Sequence, residues 1–423
     1  MRTGPAEGWI LAGTLDGAAS APALREDVAG MPYVLRIACD LAVAGVRRIV
    51  VVWNAGEPPV LEDLARDPRL ASRARLEVAE RPPAGDDADP ILIVRADRIW
   101  QREMPKYAAA AWRGSAAPAA KVAGDAHDAA VVADRSLARR IAEAAAVPGG
   151  MAKAIGDVEL ATIAPPYRGF TAAAPDRAGL RRAERRLVWS LPKQAAGIAS
   201  ALINRHLSLP VTFLLKRTPI RPNHVTVFCF LLATAGGVVI AQGGYRAGVI
   251  GMLLVNLGSI LDGVDGELAR LRYQYSRLGQ WMDTLADDFG NIAYSLGIAL
   301  NLRDAGVEWA LPLAVIVQIA FAATQTTQYS LITLVYRSGD LAAIPWAFQS
   351  SESLTARSAG VWSWVKATAP KLLKRDFALT VFVVLALLGR LDAILAIYSA
   401  GALSFFVIFF VQLVRNRASL RRP

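Results

Sequence analysis

Between residues 225 and 414 the sequence is a succession of apolar stretches, at 225–242, 246–261, 279–301, 308–335, 377–389 and 393–414, and few folds accept such a run. A helix needs about 20 residues to cross the hydrocarbon core, so the stretches at 246–261 and 377–389 reach that length only with flanking polar residues. The spacing predicts six membrane-spanning helices. Their orientation follows from the positive residues at the span ends, which favour the cytoplasmic side. If the N-terminal part is cytoplasmic, Lys216, Arg217, Arg221, Arg270, Arg272, Arg277, Lys366, Lys371, Lys374, Arg375, Arg415, Arg417, Arg421 and Arg422 lie inside. Arg246, Arg303 and Arg390 lie outside, an asymmetry that predicts both termini in the cytoplasm and the chain in the cytoplasmic (inner) membrane.

The first half is different in kind. The whole chain has 423 residues, of which 54% are hydrophobic and 20% charged, too apolar for a soluble protein and too charged for a bare membrane bundle. A soluble domain joined to a membrane domain satisfies both figures. The net charge of +11 suits nucleic acid, an anionic membrane or phosphorylated substrates, and the basic residues border apolar spans, which favours the last two over nucleic acid. Cys39 and Cys229 cannot build a disulfide framework or a cysteine zinc site. The opening MRTGPAEGWILAG lacks the charged and long apolar regions of a signal peptide.

Residues 1–165 alternate short apolar runs with Ala-rich helical stretches, the pattern of an α/β domain with a largely parallel sheet. Strands are predicted at 8–13, 48–53, 75–79 and 90–94, with a crossover helix at 32–46. A basic helix follows at 177–191, then an interfacial helix at 193–215, for which a soluble linker helix is the alternative. The expected domains are 1–190, soluble α/β; 191–221, juxtamembrane; and 222–423, an all-α six-helix transmembrane domain.

Near the cytoplasmic end of the second span the chain reads LDGVDGELARLRYQYSRLGQWMDTLADD, from 261 to 288. Asp262, Asp265, Gly266, Ala269, Arg270, Gly279, Asp283 and Asp287 form the pattern D-x2-D-G-x2-A-R-x8-G-x3-D-x3-D. At usages of roughly 5–10% per residue type, eight fixed positions coincide by chance on the order of once in a billion starts. Asp262 and Asp265 are spaced i,i+3 and Asp283 and Asp287 i,i+4, so each pair projects from one helix face. Two such faces meeting make a cage of carboxylates, costly within a membrane unless hard divalent cations compensate it. With no His or Cys beside them in the sequence, Mg²⁺ or Mn²⁺ suits the donors, and two ions could clamp a pyrophosphate. Gly266, Ala269 and Gly279 are small where a nucleotide would approach helix backbone, and Arg270 offers a cation to phosphate oxygens. The bland alternative, aspartates merely capping a membrane boundary against Arg270, Arg272 and Arg277, accounts for one or two of them.

This pattern resembles the signature of the CDP-alcohol phosphotransferase family. The resemblance implies a six-helix membrane fold, usually a homodimer, whose site opens to the cytoplasm. It implies that a CDP-alcohol donor and a hydroxyl acceptor meet there, and that CMP is released. Asp262, Asp265 and Asp283 would bind metal, Asp287 would share that role and act as base, and Gly266, Ala269, Arg270 and Gly279 would contact the CDP moiety. Asp288, one residue off that face, reads as an ordinary helix-end charge.

Lys193, Asn204, Arg205, Ser208, Pro222 and Asn223 resemble the juxtamembrane stretch of a branch that fuses an inositol-phosphate cytidylyltransferase domain to a di-myo-inositol-phosphate-phosphate synthase domain. The N-terminal strands likewise resemble a nucleotidyltransferase. Active domains of that type hold the triphosphate with a glycine-rich loop containing an arginine and a Pro-Lys pair. Here the loop from Leu11 to Asp27 has Asp16, no cation before Arg25, and Ala23 where the lysine belongs. Asp97 matches the metal-binding aspartate after the fourth strand, with a loop or capping aspartate as the alternative. A nucleotidyltransferase-like fold without the activity is expected.

Two other classes compete: a transporter whose aspartates bind a permeating cation, and an inactive membrane-tethered binding protein. Transporter sites lie near the bilayer midplane, whereas these acids sit at a span end beside Arg270. The donor is a soluble CDP-alcohol or the membrane lipid CDP-diacylglycerol. Lys371, Lys374 and Arg375 before the fifth span would bind a phosphorylated acceptor such as an inositol phosphate, or else serve as a topology anchor.

Overall fold

The computed structural model describes residues 3–15, 18–19, 24–122, 130–156, 158–164, 169–173, 177–191, 203–335 and 375–415. Two compact units divide the chain. One comprises Met1–Gln194 with Thr212–Pro219 and Arg270–Gln274; the other comprises Ala195–Val211, Ile220–Ala269 and Tyr275–Pro423.

The first unit is built on strands β1 (Glu7–Ala12), β2 (Arg48–Trp53), β3 (Arg75–Ala79), β4 (Pro90–Arg95), β5 (Ala119–Val122), β6 (Ala130–Asp134) and β7 (Leu160–Ile163). They form one sheet in the order β7-β5-β6-β4-β1-β2-β3. β6 runs antiparallel to both its neighbours, and the remaining pairs are parallel. The first four strands lie within a residue of the apolar runs that predict them. β5, β6 and β7 are short and alanine-containing, and their apolar content does not mark them off from the helices around them. Helices α1 (Tyr33–Val43), α2 (Met104–Arg113), α3 (Arg135–Ala144) and α4 (Arg177–Trp189) accompany the sheet. Alternate residues Trp9, Leu11, Val50, Val52, Ile91 and Ile93 pack with Leu137 and Ile141 of α3 in one core.

α1 is buried without a break from Tyr33 to Leu41, including Arg36 and Asp40. Charges at such depth are costly unless paired, so their partners shape the fold around them. Several of those partners come from the segment Arg270–Gln274 of the same unit. One Nη of Arg36 donates to the carbonyls of Leu271 at 2.8 Å and Val28 at 3.0 Å. The Asp40 carboxylate accepts from the Tyr273 hydroxyl. Burial pushes the Asp40 carboxyl up to about 7, while the hydrogen bond from Tyr273 and the charges of Arg36 and Arg102 pull it back. Tyr273 has φ +57°, a left-handed conformation that a bulky side chain adopts at a cost of about 1–3 kcal/mol. Arg272 donates from Nε to the Lys216 carbonyl at 3.1 Å and from Nη2 to that of Thr218 at 3.0 Å. Lys216 and Arg217 in turn pair with the buried Glu184 of α4 at 3.6 and 3.2 Å.

Among the described residues there follow helices α5 (Arg205–Leu215), α6 (Pro222–Ile240), α7 (Gly244–Arg272), α8 (Arg277–Asp304), α9 (Ala310–Ser330), α10 (Arg375–Leu387) and α11 (Leu391–Arg415). Among the described residues four helices are long and apolar enough to cross a membrane: α6, α7, α9 with the turn continuing it to Val335, and α11. These four correspond to the first, second, fourth and sixth of the spans expected from the sequence. α8 is long enough, but Asp283, Asp287, Asp288 and its asparagines make it too polar by composition, and α10 is 13 residues long.

Glycines let the helices of this unit approach closely, as small residues do between apolar helices. A Cβ on Gly236 of α6 would stand 2.7 Å from the Gly251 carbonyl of α7, and one on Gly237 would collide with the Ala293 backbone of α8. α6 therefore lies against both helices that carry the aspartate motif. Ile240, Met252, Val255, Tyr294, Ile298 and Phe382 form the core beside these contacts.

Candidate active site

The two halves of the motif stand on the facing ends of consecutive helices. Asp262 and Asp265 occupy the C-terminal part of α7, Asp283 and Asp287 the N-terminal part of α8. Ser276 caps α8, its hydroxyl accepting from the Gly279 amide at 2.9 Å, so the helix starts two turns before its acids. Asp262, Asp265 and Asp283 each present a carboxylate oxygen within 4.8 Å of the others'. Asp265 is buried and the other two are half-buried.

Asp287 lies outside that group. Its carboxylate forms an ion pair with Arg375, the first residue of α10. The guanidinium thus stands at the fourth acid of the motif. Lys371 and Lys374, read with Arg375 as an acceptor site, lie outside the described residues. Arg270 stands in the last turn of α7, with Gly266 and Ala269 half-buried before it.

The small residue at 279 also lets two helices approach each other. A Cβ there would meet the Asn223 side-chain oxygen at 2.8 Å and the Ser276 hydroxyl at 2.9 Å. Gly279 lets the first turn of α6 close on the first turn of α8.

Three polar contacts around the acids escape sequence reasoning. The Thr226 hydroxyl of α6 donates to Asp265 Oδ2 at 2.5 Å, both side chains being buried. Ser208 of α5 donates to the buried Glu267 at 2.9 Å, inside the motif's own D-G-E-L-A-R run. Asp288 is not a helix-end charge: it sits well inside α8 and accepts from Gln325 Nε2 at 2.6 Å and from the Tyr329 hydroxyl, both on α9. Trp281 meets the Tyr329 ring edge-on at 5.2 Å. A carboxylate within an apolar helix needs such donors, and only the helix packing brings them together.

A set of donors made, among the described residues, wholly of carboxylate oxygens fits a hard divalent cation better than zinc or copper. Second-sphere support of the kind Thr226 gives Asp265 is usual for a ligating carboxylate.

Residues 220–403 match the sequence profile of the CDP-alcohol phosphatidyltransferase family. Relatives described as bifunctional IPC transferase and DIPP synthase match shorter stretches. The protein from Thermococcus kodakarensis is 37% identical over 111 residues, 26% of this chain and 24% of that protein. That from Aquifex aeolicus is 29% identical over 110 residues, 25% of each chain. That from Rubrobacter xylanophilus is 36% identical over 105 residues, 25% of this chain and 23% of that protein. The chain thus spans about a quarter of the length of the relatives it matches. Among solved structures, HddC from Yersinia pseudotuberculosis matches 43% of this chain and 98% of its own at 12% identity and a TM-score of 0.30. A UDP-glucose pyrophosphorylase from Acinetobacter baumanii matches 45% and 95% at 11% identity and a TM-score of 0.32.

Proposed function

We propose that this chain is an integral membrane CDP-alcohol phosphotransferase, which moves a phosphoalcohol group from a CDP-alcohol to a hydroxyl acceptor and releases CMP. The observation that carries this reading is the convergence of Asp262, Asp265 and Asp283 within the segment matching the family. These three acids would hold Mg²⁺ or Mn²⁺, as two ions, with Asp287 beside them one turn along α8. Bound there, the cations would neutralise the pyrophosphate and polarise the attacked phosphorus.

The chain's own residues supply the rest. Asp287 accepts the proton of the acceptor hydroxyl as its oxygen bonds to the phosphorus that bears the alcohol. The bond from that phosphorus to the CMP oxygen breaks, and CMP departs with the electron pair. Arg270 pairs with a phosphate oxygen, and Gly266, Ala269 and Gly279 line the path of the CDP moiety. Arg375, beside Asp287, is placed to meet a phosphorylated acceptor such as an inositol phosphate, with Lys371 and Lys374 before it in sequence. The acids lie where α7 ends and α8 begins, beside basic residues rather than mid-span, which favours an interfacial enzyme over a cation transporter.

The domain reading is residues 1–190 as a cytoplasmic nucleotidyltransferase-like domain, 191–221 as a juxtamembrane connector and 222–423 as the membrane domain. Counting α8 and α10 with the four apolar helices gives six spans, and the positive residues put both termini on the cytoplasmic side of an inner membrane. A homodimer, with lipid around it and no nucleic acid partner, completes the reading. The test is mass spectrometry of products from the purified chain given Mg²⁺, a panel of CDP-alcohols and hydroxyl acceptors. CMP and a new phosphodiester are expected from at least one pair; EDTA-resistant CMP release, or none from any pair, overturns the reading.

The N-terminal unit is proposed to be inert toward CTP. Asp97 would be its metal ligand, yet Arg95 Nε meets Asp97 Oδ1 at 2.9 Å and Nη2 meets Oδ2 at 2.6 Å. Arg95 ends β4 and Asp97 lies in the turn just after it, and the Arg95 side chain is 2% exposed. A bidentate guanidinium engages both oxygens a cation would need. The full chain incubated with CTP, Mg²⁺ and inositol 1-phosphate is expected to release no pyrophosphate above a no-enzyme control. Sustained release would make the chain bifunctional.

A further inference from the structure

Tyr273 closes α7 in the left-handed conformation that helices usually assign to glycine. A tyrosine there needs a reason beyond the turn. Its surroundings supply one: the side chain is 3% exposed, its hydroxyl donates to Asp40, and the Arg102 guanidinium lies 5.0 Å from its ring centre. Arg36 stands 6.0 Å from the same ring and ties down the preceding residue through the Leu271 carbonyl. A buried carboxylate and two guanidinium groups thus form a receptor for one aromatic side chain, within the unit to which Arg270–Gln274 belongs.

The position of that side chain in the sequence is what matters. Tyr273 begins the short turn between α7 and α8, and the Ser276 cap ends it. Asp262 and Asp265 lie before this turn, Asp283 and Asp287 after it. The turn therefore sets the angle and rotation at which the two pairs of acids face each other. A metal site of three oxygens within 4.8 Å tolerates little error in either.

We propose that Tyr273 is a positioning residue of the phosphotransfer site, gripped by Asp40, Arg36 and Arg102, so that this grip acts as a clamp on the turn between the aspartate-bearing helices. The proposal rests on the transferase reading for its consequence in turnover, and on the three-acid cluster alone for its consequence in metal binding. It gives the soluble half a task that needs no nucleotidyl transfer.

The experiment uses the full chain in nanodiscs, as wild type, Tyr273→Phe, Asp40→Asn and the double variant. Asp63→Asn serves as control, since its exposed pair with Arg25 is on the same unit. Mn²⁺ affinity is read by electron paramagnetic resonance, and amide hydrogen exchange is followed across residues 271–283. CMP release is measured with CDP-diacylglycerol and CDP-glycerol as donors. Each single variant is expected to weaken Mn²⁺ binding about tenfold, the low end for residues acting through a ligand. The double variant should be no worse than either single one, because both break the same contact. Exchange in the turn should quicken, and kcat should fall with donor KM unchanged. Wild-type Mn²⁺ affinity in Tyr273→Phe, which keeps the ring and removes one hydroxyl, overturns the clamp even if Asp40→Asn fails to fold. Wild-type Mn²⁺ binding without CMP release from any donor sinks the transferase reading, while loss of that binding in Tyr273→Phe still upholds the clamp.

Discussion

Asp283→Asn is expected to lower CMP release by on the order of 10³, equivalent to about 4 kcal/mol of lost stabilisation of the transition state. The substitution keeps the shape of the side chain and removes one anionic ligand from a group of three. Asp262 and Asp265 sit together on α7, so Asp283 is what α8 contributes to the group, and its neutralisation unlinks the two helices at the site. Removing divalent cations with EDTA should produce a loss of the same order in the unaltered chain, and added Mn²⁺ should restore the wild type but not the variant. Asp304→Asn is the matched control: it lies at the other end of α8, on the surface, paired with Arg303 at 2.7 Å. An exposed pair contributes about 0–1 kcal/mol, so its loss should leave turnover almost unchanged. Equal effects of the two substitutions would mean that the motif aspartates are merely structural.

How far the site could be read in advance depended on whether a feature was local in sequence. The pairs Asp262/Asp265 and Asp283/Asp287 are set by helical periodicity, and their spacing alone places each on one face. The same holds for the strands at Arg48–Trp53 and Arg75–Ala79, where the apolar runs begin and end at turn residues. The Arg95–Asp97 pair was less accessible, since Asp97 lies in the turn after the strand that ends at Arg95, and only the shape of that turn brings the carboxylate onto the guanidinium. Contacts formed across helices carried no such signal. Thr226 lies four residues into an apolar helix, and nothing in PNHVT says that its hydroxyl meets Asp265. Asp288 could be excluded from the motif's face by counting, yet its partners Gln325 and Tyr329 lie 37 and 41 residues further on. The helices α8 and α10 show the same limit, for α8 packs against α6 and owes its polarity to the acids it presents, which its own composition does not reveal.

Asp287→Asn is expected to lower turnover by about 10²–10⁴, the usual contribution of a general base, while Mn²⁺ affinity stays near that of the wild type. The structure motivates the split. Asp287 is not one of the three acids whose oxygens cluster, and its carboxylate is held by Arg375. A ligand lost from the cluster should weaken metal binding; a base lost beside it should not. Arg375 makes the distinction sharper, because the ion pair fixes where the Asp287 oxygens point. Arg375→Gln should therefore lower kcat through Asp287, and it should raise the apparent acceptor constant more than the donor constant if the guanidinium also meets a phosphorylated acceptor. Charge-assisted hydrogen bonds contribute about 1.5–3 kcal/mol, so that rise should be roughly 10-fold to 150-fold. A change in kcat alone would leave Arg375 as the orienting partner of the base. Mn²⁺ affinity falling together with turnover in Asp287→Asn would instead make the fourth aspartate a metal ligand, displaced from Arg375 whenever the cations are bound.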